Sequence, residues 1–149
     1  MGKITSKRNI PYPAPQVFAA ARDVERFPDV LPNVDEVVVR ENDGAGHTVT
    51  YWAASFKVGP LTKQVKWTER DTWDETALTC VFELVEGDMK VYNGVWSFKP
   101  DGDACLVEIE VDFELGIPLL GPMINTIIDQ LMQQNCDELL AGLEKLSAS

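Results

Sequence analysis

Histidine is almost absent from this sequence, since His47 is the only one among 149 residues. Zinc sites built on imidazole groups, Ser-His-Asp triads and histidine proton relays all need more than one such side chain can supply. His47 also follows the turn-forming segment 42–46, which predicts an exposed position in a loop. We therefore expect no metal site and no cofactor, and the sequence alone assigns no catalytic residue.

Basic residues are scarce as well. The chain has 13 Lys and Arg against 24 Asp and Glu, which gives a formal net charge of -11. A surface of this charge repels phosphate backbones and anionic lipid headgroups over most of its area. Nucleic acid is therefore not an expected partner.

Long apolar runs and paired cysteines are also missing. No segment approaches the about 18 consecutive apolar residues of a membrane span, and the N-terminus lacks the apolar region of a signal peptide. Cys80, Cys105 and Cys136 are odd in number and widely spaced, which is typical of free thiols in a reducing compartment. We expect a cytoplasmic protein with no stable membrane insertion. The oligomeric state stays open, with a homodimer as one option.

The residues that are present predict a mixed fold. The length predicts a single domain over residues 1–149. A weakly alternating segment, 3–10, indicates a first strand, and a proline-rich stretch then introduces two short helices over 15–22 and 23–31. From Val34 to Leu115, period-two runs separated by turn signals predict six strands in an antiparallel meander.

The last strand and the C-terminal helix are the clearest elements. Val107, Ile109, Val111 and Phe113 alternate with acidic residues, which predicts a strand with one face in the core. An apolar stripe that begins after Pro122 predicts a helix of about 25 residues, roughly 38 Å long. Two short helices cannot cover such a stripe, whereas a twisted sheet of about seven strands can wrap around it. The fold class is therefore α+β, with a curved antiparallel sheet around a long C-terminal helix.

Five local motifs occur in the same order as in a known family. They are segments 27–32 (FPDVLP), 67–70 (WTER), 87–89 (GDM), 94–98 (GVWSF) and 113–115 (FEL). In these motifs and in its element order, the chain resembles the START-like or helix-grip (SRPBCC) superfamily, in particular the polyketide cyclase/dehydrase and coenzyme Q-binding branch. The resemblance implies a hydrophobic cavity between sheet and helix that takes lipids, isoprenoid quinones or polyketides.

Large apolar side chains and a few polar ones are the candidate ligand contacts. Aromatic residues on a concave sheet face suit an apolar or aromatic ligand, although the same residues can simply fill the core. Asn135 interrupts the apolar stripe of the C-terminal helix and could face a cavity. The full candidate set is Phe27, Leu31, Trp52, Phe56, Arg70, Tyr92, Trp96, Phe98, Ile109 and Asn135.

Arg70 and Glu83 lie on strands whose inward face is ambiguous. The resemblance implies an arginine directed into the pocket at position 70, where it could polarise a ligand carbonyl. The alternative is a surface arginine beside Glu69 and Asp71. If Val65 and Trp67 point inward, Arg70 does not. Glu83 would carry a raised pKa if it were buried, but strand alternation equally allows it to face water.

The sequence favours binding over catalysis. The leading hypothesis is a protein that binds a hydrophobic small molecule in the implied cavity. The alternative is a polyketide aromatase/cyclase or dehydrase that acts on a poly-ketone. Where cyclising relatives can present an aromatic hydroxyl, this chain has Val34, which weakens the enzyme reading. A third class resembles the ribosome-associated toxin branch and would require a basic face, which the net charge of -11 disfavours.

Overall fold

The computed structural model describes residues 2–58, 60–115 and 122–148. In chain order, the elements are β1 (Gly2–Ile10), α1 (Ala14–Arg22), a 3-10 helix (Val24–Asp29), β2 (Val34–Asn42), β3 (His47–Val58), β4 (Leu61–Asp74), β5 (Thr79–Gly87), β6 (Met89–Asp101), β7 (Ala104–Leu115) and α2 (Pro122–Ser147). None of the helices in these ranges is long and apolar enough to cross a membrane.

The seven strands form one antiparallel sheet in the order β1-β7-β6-β5-β4-β3-β2. Strands β2 to β7 follow one another as a meander, and β1 pairs with β7 so that Ile4 lies opposite Val111 and Ile10 opposite Cys105. The apolar side chains of β1 therefore face the same side of the sheet as those of β7, the strand with the most regular alternation. The predicted α+β class and helix-grip architecture are confirmed.

The two short helices differ in kind. The first matches α1, with Pro15 in its first turn, where no intrahelical N–H is needed. The second is a 3-10 helix that ends at Asp29, two residues before the predicted end. Pro28 lies inside it and cannot donate a hydrogen bond, and the backbone N–H of Val30 bonds to the carbonyl of Phe27 at 3.1 Å. This tight turn buries Phe27.

Helix α2 packs differently along its length. Its C-terminal half buries Cys136, Leu140, Leu143 and Leu146 in the core. The side-chain amide of Gln16 in α1 donates to the carbonyl of Ser147 and ties this half to the first helix. Nearer the N-terminus of α2, Ile128, Leu131 and Met132 are only half-buried, and they border an open space.

An aromatic cluster fills one end of the concave face. Phe18 of α1 meets Trp73 edge-on, with ring centroids 5.6 Å apart, and meets Phe98 edge-on at 5.2 Å. Such edge-to-face contacts are the preferred packing of aromatic rings. The core is therefore closed beneath α1, and the unfilled interior lies towards the other end of the sheet.

Candidate ligand-binding cavity

The paired strands β3 and β4 form one part of the cavity wall. Trp52 lies directly opposite Trp67, and their rings stack with centroids 5.9 Å apart and planes 5° from parallel. Both side chains are buried on the concave face. Because side chains alternate along a strand, this pair also directs Ala54, Val65 and Glu69 inward.

A cavity of about 350 Å³ lies between this face and the middle of α2, residues 128–139. Its volume falls within the range of small-molecule sites, about 300–1,000 Å³. The aromatic part of its wall consists of Trp52, Phe56, Trp67, Phe82, Tyr92 and Trp96. Its aliphatic part includes Leu31, Val34, Ala54, Val65, Met89, Ile109, Leu115, Ile128, Leu131, Met132 and Leu139.

The aromatic side chains form a continuous wall across four strands, β3 to β6. The ring of Tyr92 lies 5.3 Å from that of Trp67 and 5.3 Å from that of Phe82. Trp52 extends this wall on β3 and touches Phe27 behind it, with centroids 5.9 Å apart. A flat, apolar molecule can stack on such a surface.

Glu69 is a buried acid in the cavity wall. Its carboxyl group accepts a hydrogen bond of 2.9 Å from Nε1 of Trp67 and is hydrogen-bonded to the carboxyl group of Asp71. Burial, followed by the neighbouring charge of Asp71, raises the pKa of Glu69 well above its usual value. Within the pair, Glu69 is therefore the partner that keeps its proton to higher pH.

Asp71 supports Glu69 from behind the wall. It is buried and accepts a hydrogen bond of 2.9 Å from the hydroxyl of Thr50 and one of 3.3 Å from Thr48. Burial raises the pKa of Asp71 too, while these hydrogen bonds lower it. Because hydrogen bonds from Glu69 and both threonines favour its ionised form, Asp71 is the partner of the pair that loses its proton first.

Tyr92 adds a hydroxyl group to the same region. Burial raises the pKa of the Tyr92 phenol well above its usual value, and Glu69 and Cys136 add to this shift once they are ionised. The phenol therefore remains neutral at physiological pH, and it can donate or accept a hydrogen bond inside the cavity.

Most of the predicted ligand contacts meet in this cavity. Leu31, Trp52, Phe56, Tyr92, Trp96, Ile109 and Asn135 all line it. Phe27 and Phe98 are fully buried but are not part of the wall, contrary to the prediction. Phe27 packs behind Trp52, and Phe98 stacks on Trp96 at 6.0 Å beneath Phe18, so core neighbours cover both rings.

Arg70 does not reach the cavity, and its predicted placement there is wrong. It lies on the exposed outer face, where its guanidinium is 3.3 Å from the carboxylate of Glu83, which is also exposed. The inward set of β4 is Val65, Trp67 and Glu69, and alternation then turns Arg70 towards water. An exposed cation also avoids the cost of burying a charge.

Trp67 and Phe82 line the cavity although neither was a candidate, and sequence reasoning also missed the two buried acids, Glu69 and Asp71. Both were considered only as surface partners of Arg70. The period-two pattern carried the signal, because an inward Trp67 implies an inward Glu69 and then an inward Asp71. Charged residues are rarely buried, and this general preference obscured the pattern.

Across residues 2–58, 60–115 and 122–148, no group of three or more His, Cys, Asp or Glu side chains could hold a metal ion. His47 is exposed at the first position of β3, with Nδ1 2.7 Å from Asp43. Cys80, Cys105 and Cys136 are buried and unpaired, as predicted.

Known proteins of related sequence and structure share this architecture. The protein TTHA0849 from Thermus thermophilus is 33% identical, with a TM-score of 0.91 over 99% of this chain and 97% of that chain. The Zhui aromatase/cyclase from a Streptomyces species is 17% identical, with a TM-score of 0.85 over 99% and 93% of the two chains, and at that identity the likeness shows the fold alone.

Sequence comparison adds a relative and a family. The ribosome association toxin RatA from Vibrio cholerae is 28% identical over 132 residues, which cover 88% of each chain. Residues 10–140 match the family model described as polyketide cyclase / dehydrase and lipid transport. The chain therefore belongs to this family, and it adopts the helix-grip fold.

Proposed function

We propose that this protein binds a hydrophobic small molecule of the lipid, isoprenoid quinone or polyketide type between its sheet and α2. The cavity of about 350 Å³ with its aromatic wall carries the proposal. A ligand that buries about 300 Å² of apolar surface there gains about 7 kcal/mol before the cost of association. The family description, which includes lipid transport, supports the same function. The three unpaired cysteines favour the cytoplasm as its location.

Extraction of the purified protein tests this proposal. The protein is isolated from its host and treated with organic solvent, and the extract is analysed by mass spectrometry. We expect an apolar compound at close to one equivalent per chain. Tryptophan fluorescence should also respond to added ligand, because Trp52, Trp67 and Trp96 line the cavity.

A matched pair of variants separates cavity binding from surface adsorption. Ala54→Phe places an aromatic ring inside the cavity and should abolish ligand retention. Val81→Phe adds the same ring on the outer face, where Val81 is 52% exposed, and should retain the ligand. Equal retention by both variants, or an extract without any apolar compound, would count against the proposal.

A second candidate function is cyclisation or dehydration of a poly-ketone, and the buried Glu69–Asp71 pair favours it. In an aldol ring closure, an α C–H bond breaks and its proton passes to water, a new carbon–carbon bond forms from that carbon to a ketone carbon, and the ketone oxygen gains a proton to become a hydroxyl group. Glu69 lies in the cavity wall and shares a proton with Asp71, so the pair can pass this proton to the ketone oxygen and regain one from water. The fold shared with the Zhui aromatase/cyclase is compatible with this chemistry.

Product analysis distinguishes the enzyme from the carrier. A synthetic poly-ketone thioester is incubated with the protein, and cyclised products are followed by mass spectrometry against the spontaneous background. An enzyme should lose turnover in Glu69→Gln while still binding substrate, because Gln preserves the shape but cannot supply the proton. Product formation at the background rate in the unmodified protein would rule out the second candidate.

The name of the RatA relative suggests a ribosomal partner, and the charge of this chain argues against it. A net charge of -11 opposes binding to RNA phosphates. We expect no co-sedimentation with ribosomes. Co-sedimentation that weakens steeply with added salt would overturn this expectation.

A further inference from the structure

The sheet is split between β5 and β6 at the end next to their shared turn. Every residue of both strands is described, and their pairing ends where Glu83 lies opposite Asn93. Strand β5 nevertheless continues to Gly87, and β6 begins at Met89. The last residues of β5 remain paired with β4, and the first residues of β6 remain paired with β7. A gap therefore separates the two strands in this region.

Irregular pairing on both sides accompanies the gap. The register between β4 and β5 shifts so that Val85 is an extra residue of β5. The register between β6 and β7 shifts in the same way and makes Lys90 an extra residue of β6. Bulges of this kind bend a strand and terminate regular pairing. Both extra residues border the gap, so each strand departs from a regular path where the two separate.

The turn between the two strands is tied to β4. The backbone N–H of Asp88 donates a hydrogen bond of 2.9 Å to the carbonyl of Lys66, and the Asp88 carboxylate accepts one of 2.9 Å from the N–H of Lys66. Gly87 approaches β4 so closely that a Cβ atom there would lie 2.5 Å from Cα of Trp67. These contacts hold the end of β5 against β4, on the side away from β6. The gap is therefore built into the fold.

An open groove, the β5–β6 groove, occupies the gap. It is lined by residues 81–85 of β5 and 90–94 of β6. Three large apolar side chains are exposed in the described part of the chain, and two of them, Val81 and Val85, lie in this groove. Single exposed apolar residues are common on soluble proteins. Two of them beside one opening give that opening an apolar rim.

Phe82 and Tyr92 separate the groove from the ligand cavity, and both side chains line both spaces. Their ring centroids are 5.3 Å apart. Phe82 lies opposite Gly94, and a Cβ atom on Gly94 would lie 2.7 Å from Cζ of Phe82. The glycine thus leaves room for the Phe82 ring. Because the pairing of β5 and β6 has ended before Tyr92, rotation of these two side chains joins the groove to the cavity.

We propose that an apolar ligand enters and leaves the cavity through the gap between β5 and β6, with Phe82 and Tyr92 as the gate. The inference rests on the proposed binding function and adds the route of ligand exchange. Opening here breaks no backbone hydrogen bonds, whereas a route through a paired part of the sheet would break several. Closing the gap should therefore slow binding and release by the same factor and leave the affinity unchanged.

A disulfide across the gap tests this route. Extension of the register of the paired segment places Val85 opposite Val91, and neither residue lines the ligand cavity. A bridge in Val85→Cys/Val91→Cys holds the strands together at the groove. Stopped-flow mixing with N-phenyl-1-naphthylamine, a neutral apolar fluorophore, gives the association and dissociation rate constants. Both should be about 10-fold lower in the oxidised variant, and reduction should restore them.

Two further variants complete the test. Val81→Cys/Val95→Cys is the matched control, because these residues already lie opposite each other in the paired segment. Its bridge should leave both rate constants unchanged. Val85→Phe/Val91→Phe obstructs the groove without any oxidation step, and it should slow association and dissociation together.

The rate constants decide between the outcomes. Unchanged rates in both obstructed variants, or equal slowing by the control bridge, would overturn the proposed route while leaving ligand binding intact. A weaker affinity with an unchanged association rate would also overturn it, because an obstructed route alters the barrier and not the bound state. Failure of the fluorophore to bind the unmodified protein would instead count against the proposed function itself.

Discussion

Nε1 of Trp67 donates a hydrogen bond of 2.9 Å to Oε1 of Glu69, two residues further along the same face of β4. The bond joins the aromatic wall of the cavity to its buried acid. Trp67 also stacks on Trp52, so the ring that holds Glu69 in place is itself held by the neighbouring strand. The acid is thus part of a preorganised wall.

Glu69→Gln should flatten the pH dependence of stability. The folded-state pKa of Glu69 is raised above its usual 4.5, so its contribution is fully present below that pH and is lost as the pH rises towards the folded-state pKa. Gln keeps both hydrogen bonds and does not titrate. Urea unfolding between about pH 5 and pH 9 should show a shallower decline in the free energy of unfolding for the variant. Some decline should remain, because the pKa of Asp71 is raised in the same direction. Identical slopes in both proteins would contradict the assignment.

Thr50→Val should destabilise the fold through Asp71. The Thr50 hydroxyl is fully buried and donates to Asp71 at 2.9 Å, and valine has nearly the same shape without the donor. Loss of a hydrogen bond to a buried carboxylate should lower the free energy of unfolding by about 1.5–3 kcal/mol. Thr48→Val is the matched control, because its bond is longer, at 3.3 Å, and only part-buried. Equal losses in the two variants would contradict the larger contribution predicted for the shorter, buried bond from Thr50.

Gly94→Ala should be among the most damaging small substitutions. A Cβ atom at this position would lie 2.0 Å from the backbone oxygen of Glu110 and 2.7 Å from Cζ of Phe82. Overpacking against backbone should cost about 3 kcal/mol, the upper end of the usual range. Gly44→Ala is the control, since nothing lies within 4 Å and its φ of +75° should cost only about 1 kcal/mol. Thermal unfolding would compare the losses of stability in the two variants. A smaller loss in Gly94→Ala than in Gly44→Ala would contradict the tight contact at Gly94.

Arg70→Gln should leave both stability and ligand affinity almost unchanged. The side chain is 53% exposed, and its partner Glu83 is 61% exposed. Exposed ion pairs of this kind contribute little, because water and salt screen them. Calorimetric titration with an apolar ligand and urea unfolding would both check this. A large loss of affinity would show that Arg70 contributes to ligand binding after all.

The three cysteines should resist thiol reagents in the folded protein. Burial raises the pKa of Cys105 to about 11 and that of Cys136 to about 12, and it raises the pKa of Cys80 further. The reactive thiolate is therefore rare at neutral pH. We expect slow labelling of native protein and three equivalents in denaturant. Fewer than three thiols after unfolding of fresh protein would indicate a disulfide.

Local periodicity was enough to predict most of the fold. The alternation of apolar residues in β7 and the long apolar stripe of α2 each define one buried face, whatever the rest of the chain does. A helix of that length needs a large apolar surface, and the six-strand run provides it. The prediction of Trp96, Ile109 and Asn135 as cavity residues followed from these faces and from the family resemblance.

The tertiary structure decided which side chains border empty space. On β4, two sets of residues compete for the inward face, and the pairing of Trp67 with Trp52 selects the set that contains Glu69 and excludes Arg70. Phe98 was expected to touch ligand, but Phe18 of α1 packs on it and places it in the core. Alternation is a property of one strand and can be read from neighbouring residues. A cavity is the space left between α1, α2 and the sheet, so its lining depends on contacts between residues that are far apart in the sequence.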